Sequence, residues 1–165
     1  MMAHHWTVYA CLFIGLNAAL VGGVFQSFSD FVMRGLLQGA AASGVESMQG
    51  INRTVFRSLF LTTFFVLVPL TLAIAYVALT QLDGGAQRFI VFGTIIYVAL
   101  VFVVTIVGNV PMNERLAKLP AASSEAAEYW KTYGRNWTRW NHVRTIGSIV
   151  TSGSYFFAML TLAKI

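Results

Sequence analysis

The chain has 165 residues, of which 57% are apolar and only 10% charged, with a formal net charge of +5. Ordinary soluble domains carry about 25% charged residues, so a water-soluble globule is excluded, and the polar remainder is too short for a second folded domain. A single cysteine leaves no intrachain disulfide, and positive charge concentrated between apolar stretches argues orientation in a membrane rather than nucleic-acid binding.

Four stretches, 7–28, 58–79, 89–110 and 143–162, each reach the length of about 20 residues that crosses a bilayer core as a helix. Backbone groups in lipid must be satisfied internally, and four segments cannot close a barrel. The expected fold is all-α: an integral membrane four-helix bundle forming one transmembrane domain, 1–165, with interfacial helices in the loops after spans one and three. The first stretch is longer than a signal-peptide core and is expected to be retained.

On span one, Gly15, Ala19, Gly22, Gln26 and Asp30 share one arc at about 100° per residue. Small residues there let a neighbouring helix approach, and Gln26 and Asp30 would point inward at its end. The same pattern also describes a packing seam whose last polar groups reach the interface. Asn17 points elsewhere and is placed to hydrogen-bond another helix. In the following loop, Val45, Met48, Ile51, Val55 and Leu59 recur at helical spacing and leave Glu46, Gln49 and Asn52 along another face. Such a helix lies on the membrane or folds back over the bundle.

Span two contains Pro69, expected to kink it by removing a helix hydrogen bond. Asp83-Gly84-Gly85 makes the turn that sets spans two and three antiparallel. Span three ends in Asn109-Val110-Pro111-Met112-Asn113. Proline disfavours a helical residue before it, so a break at Val110 is expected, with Asn109 and Asn113 capping the freed groups or turning toward a ligand. Another helix is expected to start near 121–128, capped by Ser123 or Ser124. Trp130, Tyr133, Trp137, Trp140 and Arg144 then form one stripe, with Lys131, Arg135, Arg139 and His142 on the other side. The stripe is either an aromatic belt at headgroup level or a stacking surface for a flat apolar ligand.

Arg34, Arg53 and Arg57 in the first loop, with Arg115, Lys118, Lys131, Arg135, Arg139 and Arg144 around the third, stand against Arg88 and Lys164 on the opposite side. The positive-inside rule puts loops one and three in the cytoplasm and both termini outside the cytoplasmic (inner) membrane. The polar groups at Gln26 and Asp30, Glu46 to Asn52, Asn109 to Asn113 and Asn141 to Arg144 then converge on the cytoplasmic surface. Residues 58–79 and 89–110 carry no charge, which argues against an ion-coupled transporter. His4 and His5 are separated from His142 by about 30 Å of hydrocarbon, and no cysteine or histidine cluster has metal-ligand spacing. Haem remains open as an alternative, with His142 and Met112, Met48 or Met33 as axial ligands.

Phe25-x-x-Phe28 with Val32-Met33, Met48-Gln49-x-x-Asn52, Asn109-x-Pro111-x-Asn113 and Trp137-x-x-Trp140-Asn141-His142-x-Arg144 resemble the anthrone-oxygenase-like family of small four-helix membrane proteins. One departure is Arg34, where that family often has proline. The resemblance implies an oxygenase that converts an anthrone to an anthraquinone with no metal or flavin cofactor, acting on a lipophilic polycyclic aromatic or quinol. It casts His142 as base, with Glu46 or Asp30 replacing it if His142 turns outward. Asn109, Asn141 and Arg144 become oxyanion donors, and Trp137 and Trp140 stack on the rings. Gln26, Asp30, Glu46, Gln49, Asn52 and Asn113 complete the substrate site. Two other readings stay open: a haem- or quinone-binding redox protein, and a non-catalytic membrane subunit that binds a partner protein. The expected partners are membrane lipid and a lipophilic small molecule, with a homo-oligomer or a membrane complex left open.

Overall fold

The computed structural model describes residues 5–163, so His4 and Lys164, which entered the expectations on metal and topology, lie outside the described residues. Four helices are long and apolar enough to cross a membrane: α1 His5–Gln38, α3 Leu59–Gln81, α4 Gly84–Ala117 and α5 Ser124–Ala163. A shorter helix, α2, spans Ala41–Thr54. No strand occurs among the described residues, and the molecule is an all-α membrane bundle. α1 packs against α3, α3 against α4 and α4 against α5, and α5 returns along α1 to close the ring. At about 1.5 Å per residue the 40-residue α5 is roughly 60 Å long, about twice a hydrocarbon core. Its first half is the more polar one and packs with α2 and the end of α4.

Helix ends differ from the expectations where tertiary contacts take over. α1 passes 28 through a wide π turn, Phe28–Val32, and continues over Met33–Gln38, because Arg34 allows what a proline would stop. The expected break at Val110 does not occur. Two π turns, Tyr97–Val103 and Thr105–Asn109, precede Val110–Ala117, and Pro111 sits in the first turn of that segment, where a missing donor is tolerated. The third loop contains no separate interfacial helix. Its polar segment is the first half of α5, started by Ser123, whose hydroxyl accepts from the Ala126 amide at 3.1 Å. α3 is continuous through Pro69.

α2 folds back over the end of the bundle, with Val45 and Met48 buried. Gln49 Nε2 donates to the Leu116 and Leu119 carbonyls, both at 2.9 Å. The Leu116 carbonyl also accepts from the Leu119 amide at 3.2 Å, so one side chain fastens α2 to the turn that closes α4.

The inward face of α1 is Cys11, Ile14, Gly15, Ala18, Gly22, Phe25 and Ser29. Gly15 and Gly22 belong to it as expected, whereas Ala19, Gln26 and Asp30 are exposed. A step of about 100° separates each residue from its neighbour, and Phe25, the larger apolar group, takes the inward place beside Gln26. Gln26 Nε2 donates to Asp30 on the outer surface at 3.3 Å, and Asn17 bonds its own Phe13 carbonyl at 2.8 Å rather than another helix. In mid-bundle the Thr94 hydroxyl lies 3.0 Å from the Thr71 carbonyl and 2.7 Å from the Tyr155 hydroxyl, which ties α3, α4 and α5 together.

Gly15, Gly22 and Gly134 each bring α1 and α5 close together, and at Gly22 the neighbour is a Cβ rather than the end of a side chain. A Cβ at Gly22 would stand 3.0 Å from Ser148 Cβ, whereas one at Gly23 meets nothing within 4 Å. Gly22→Leu is expected to destabilise the protein by about 1–3 kcal/mol, and Gly23→Leu to leave stability unchanged, as measured by denaturant unfolding in detergent followed by tryptophan fluorescence.

Candidate functional site

Where α2 covers the bundle end, the helices do not close on one another. They leave a cavity of about 420 Å³ between α1, α2, α3, the end of α4 and α5. Its apolar wall is built by Phe25 and Phe28 from α1 and by Phe60 and Phe64 from α3. The polar groups among its lining residues include Gln49, Asn52, Thr105, Asn113 and Arg144. Among the lining residues Arg53, Glu114, Phe56, Phe65 and Ile106 are exposed, Phe56 to 77%.

Arg144 is 6% exposed. Its guanidinium lies over the Phe25 ring at 4.2 Å and over Trp137 at 5.2 Å. Nη2 donates to Asn141 Oδ1 at 2.6 Å, Nη1 reaches Thr105 Oγ1 at 3.4 Å, and Nε is buried with no hydrogen-bond partner. Among the described residues no carboxylate pairs with it. A buried charge without a counter-ion is costly. Desolvated cation–π contacts return about 2 kcal/mol, and the remaining donor capacity suits an anionic or strongly polar oxygen.

Asn141 is the joint behind this group. While its carbonyl oxygen accepts from Arg144, its amide nitrogen donates to the Phe25 carbonyl and, at 2.6 Å, to Ser29 Oγ. The Phe28–Val32 π turn begins beside these acceptors, at a place where the regular helix ladder is loosened.

Asn113 is oriented from behind by aromatic donors. Its Oδ1 accepts from Tyr133 OH at 2.8 Å and Trp137 Nε1 at 2.9 Å, which fixes the amide with its nitrogen free for the cavity. Trp130, Tyr133 and Trp137 stack in sequence, with centroids 5.5 and 6.2 Å apart. Tyr133 precedes the apolar stretch of α5, and burial pushes its phenol well above the ordinary range, so it remains a neutral donor. Tyr129, nearby, is raised by the same cause and partly offset by the Arg115 charge. Asn52 Nδ2 is buried without a hydrogen-bond partner in the cavity wall.

Of the residues expected to form a site, Arg144, Gln49, Asn52, Asn113 and Trp137 line the cavity together. Asn141 and Asn109 are buried behind it. Asn109 Nδ2 donates to the Trp137 carbonyl at 3.2 Å and joins α4 to α5 rather than facing the cavity. His142, Gln26, Asp30 and Glu46 are exposed and none of them lines the cavity. His142 follows the inward Asn141 by one residue, and a helix turns it away. Trp140 is 41% exposed with its ring beside Gly108, because the buried face runs Trp130, Tyr133, Trp137, Asn141, Arg144 and leaves the expected stripe at that turn. Thr105 and Glu114 were not anticipated. Val110, Asn113, Glu114 and Ala117 share a helical face, a signal readable only once the helix is allowed to run through Pro111.

No group of three or more His, Cys, Asp or Glu side chains is placed to hold a metal ion among the described residues. Met48 lines the cavity and His142 does not, so they do not meet there as an axial pair. A family model described as Anthrone oxygenase matches residues 53–154, more than half of the chain. No curated protein and no solved structure matches.

The two neighbours at 141 and 142 give a direct check of the geometry. Asn141→Leu strands the Phe25 carbonyl, Ser29 and Arg144 and is expected to destabilise by at least about 1–3 kcal/mol. His142→Ala, on the exposed face, is expected to stay within about 0.5 kcal/mol. Denaturant unfolding of both variants in detergent measures the contrast.

Proposed function

The chain belongs to the anthrone oxygenase family, and from that premise we propose that it oxidises a lipophilic polycyclic aromatic, of the anthrone type, with dioxygen. The observation that carries this reading is the buried Arg144 guanidinium, which has no acidic partner and stands in the wall of a phenylalanine-lined cavity. An anthrone has a CH2 group whose proton, once removed, leaves its electron pair delocalised as an enolate with the negative charge largely on oxygen. Arg144 is suited to hold that oxygen, and Asn113 and Asn52 offer further amide donors within the same cavity. Phe25, Phe28 and Trp137 supply flat apolar surface for the rings. The enolate is electron-rich enough to react with dioxygen directly, so the reading requires no resident cofactor. In balance, CH2 and O2 become C=O and H2O.

The same proposal places the site at the cytoplasmic face of the inner membrane, with loops one and three in the cytoplasm and both termini outside, on the strength of the arginine and lysine distribution. The apolar rim at Phe56, Phe65 and Ile106 then opens toward lipid, where a lipophilic substrate dissolves. Asn141 acts through Arg144 as a positioning residue, and His142 takes no part.

The test is oxygen uptake by the purified full chain in lipid nanodiscs supplied with an anthrone. Uptake above the spontaneous rate is expected, with no Soret band in the visible spectrum. Arg144→Gln should lower kcat/KM by about 100-fold, and His142→Ala should leave it within about twofold. A haem spectrum, or no uptake by the wild-type chain, overturns the reading.

A further inference from the structure

We propose that Glu114 is the group that accepts the substrate proton in this cavity, an assignment that rests on the oxygenase reading above. Glu114 supplies the one carboxylate among the described lining residues. Asp30 accepts from Gln26 on the outer surface of α1, and Glu46 is exposed on α2 away from the cavity.

Position supports the assignment independently of elimination. Glu114 follows Asn113 on the face of α4 that carries Val110 and Ala117 into the cavity wall. The turn bearing both is fixed on two sides. Tyr133 and Trp137 hold Asn113 Oδ1, and Gln49 holds the Leu116 and Leu119 carbonyls. A carboxylate on this turn is therefore held at the rim of the cavity. The Glu114 residue is exposed, and no ion pair ties up its charge among the described residues. It is thus placed to take a proton at the cavity and give it back there.

Proton and electron pair separate across the cavity. The C–H bond breaks, its proton forms an O–H bond on Glu114, and its electron pair stays on the substrate as an enolate whose oxygen lies at Arg144. Dioxygen, the oxidant, adds at the carbon to form a peroxide anion, which takes the proton back from Glu114. The carboxylate anion thus regenerated removes the second C–H proton. The C=O bond forms as the O–O bond breaks, and the departing hydroxide takes that proton as water. The carbon loses two hydrogens and gains one oxygen, and the carboxylate ends as it began.

The experiment compares wild type, Glu114→Gln and Glu114→Asp as full chains in lipid nanodiscs, with an anthrone carrying hydrogen or deuterium at the reacting carbon. Affinity for a dihydroxyanthraquinone, read by quenching of tryptophan fluorescence, reports whether the cavity is intact. Glu114→Gln is expected to lower kcat by at least about 100-fold, keep the dye affinity within about threefold and raise the deuterium isotope effect. Glu114→Asp should recover part of the rate. Activity of Glu114→Gln within about threefold of an active wild type overturns the assignment alone. Parallel loss of dye binding and turnover in both variants overturns it in favour of a structural role. A wild-type chain that consumes no oxygen overturns this assignment and the oxygenase reading together.

Discussion

A guanidinium buried among aromatic rings with no carboxylate beside it is tolerated only if its surroundings are built to hold it. Arg144 is stacked over Phe25 and Trp137, and one amide, Asn141, anchors it to the backbone of the opposite helix at Phe25. α1 and α5 approach closely, with Gly22 meeting Ser148 two turns away. The close approach that glycine permits brings Asn141 within reach of α1, and that contact in turn sets Arg144 in the cavity wall.

The layout divides the work by depth. Mid-bundle polar groups, Thr94, Thr71 and Tyr155, satisfy one another and lock α3, α4 and α5. At the end bearing α2 the polar groups are left partly unsatisfied: Asn52 Nδ2 and Arg144 Nε have no hydrogen-bond partner, and both residues line the cavity. Buried polar atoms are ordinarily paired; Asn109 Oδ1, Trp130 Nε1 and Ser148 Oγ are also unpaired but lie on residues outside the cavity wall, whereas Asn52 and Arg144 stand where a ligand can reach them. α2 maintains the hollow because Gln49 pins it to the end of α4.

Much of the fold is legible in the sequence because an apolar run of about 20 residues has few physical alternatives. The helix ends are less so. They are decided by capping from distant segments, as Gln49 does for Leu116 and Leu119, and by π turns that change the helical register. The same limits govern the site. Asn52, Asn113, Trp137 and Arg144 could be singled out by residue type and spacing. Helical spacing also set His142 on the far side of the Arg144 stripe, with Lys131, Arg135 and Arg139, and the structure leaves it exposed there; only the family resemblance cast it as base. Glu114 was hidden by the break expected at Pro111, which the preceding π turns remove.

The central claim is that Arg144 is an unpaired cation waiting for an oxygen of a flat apolar ligand. An experimental structure of the full chain in lipid with a bound dihydroxyanthraquinone tests it most directly. The account predicts a ligand oxygen hydrogen-bonded to the Arg144 guanidinium, with the rings held against Phe25 and Trp137. A guanidinium paired with a carboxylate or a phospholipid phosphate, or a ligand bound outside the cavity, would contradict it.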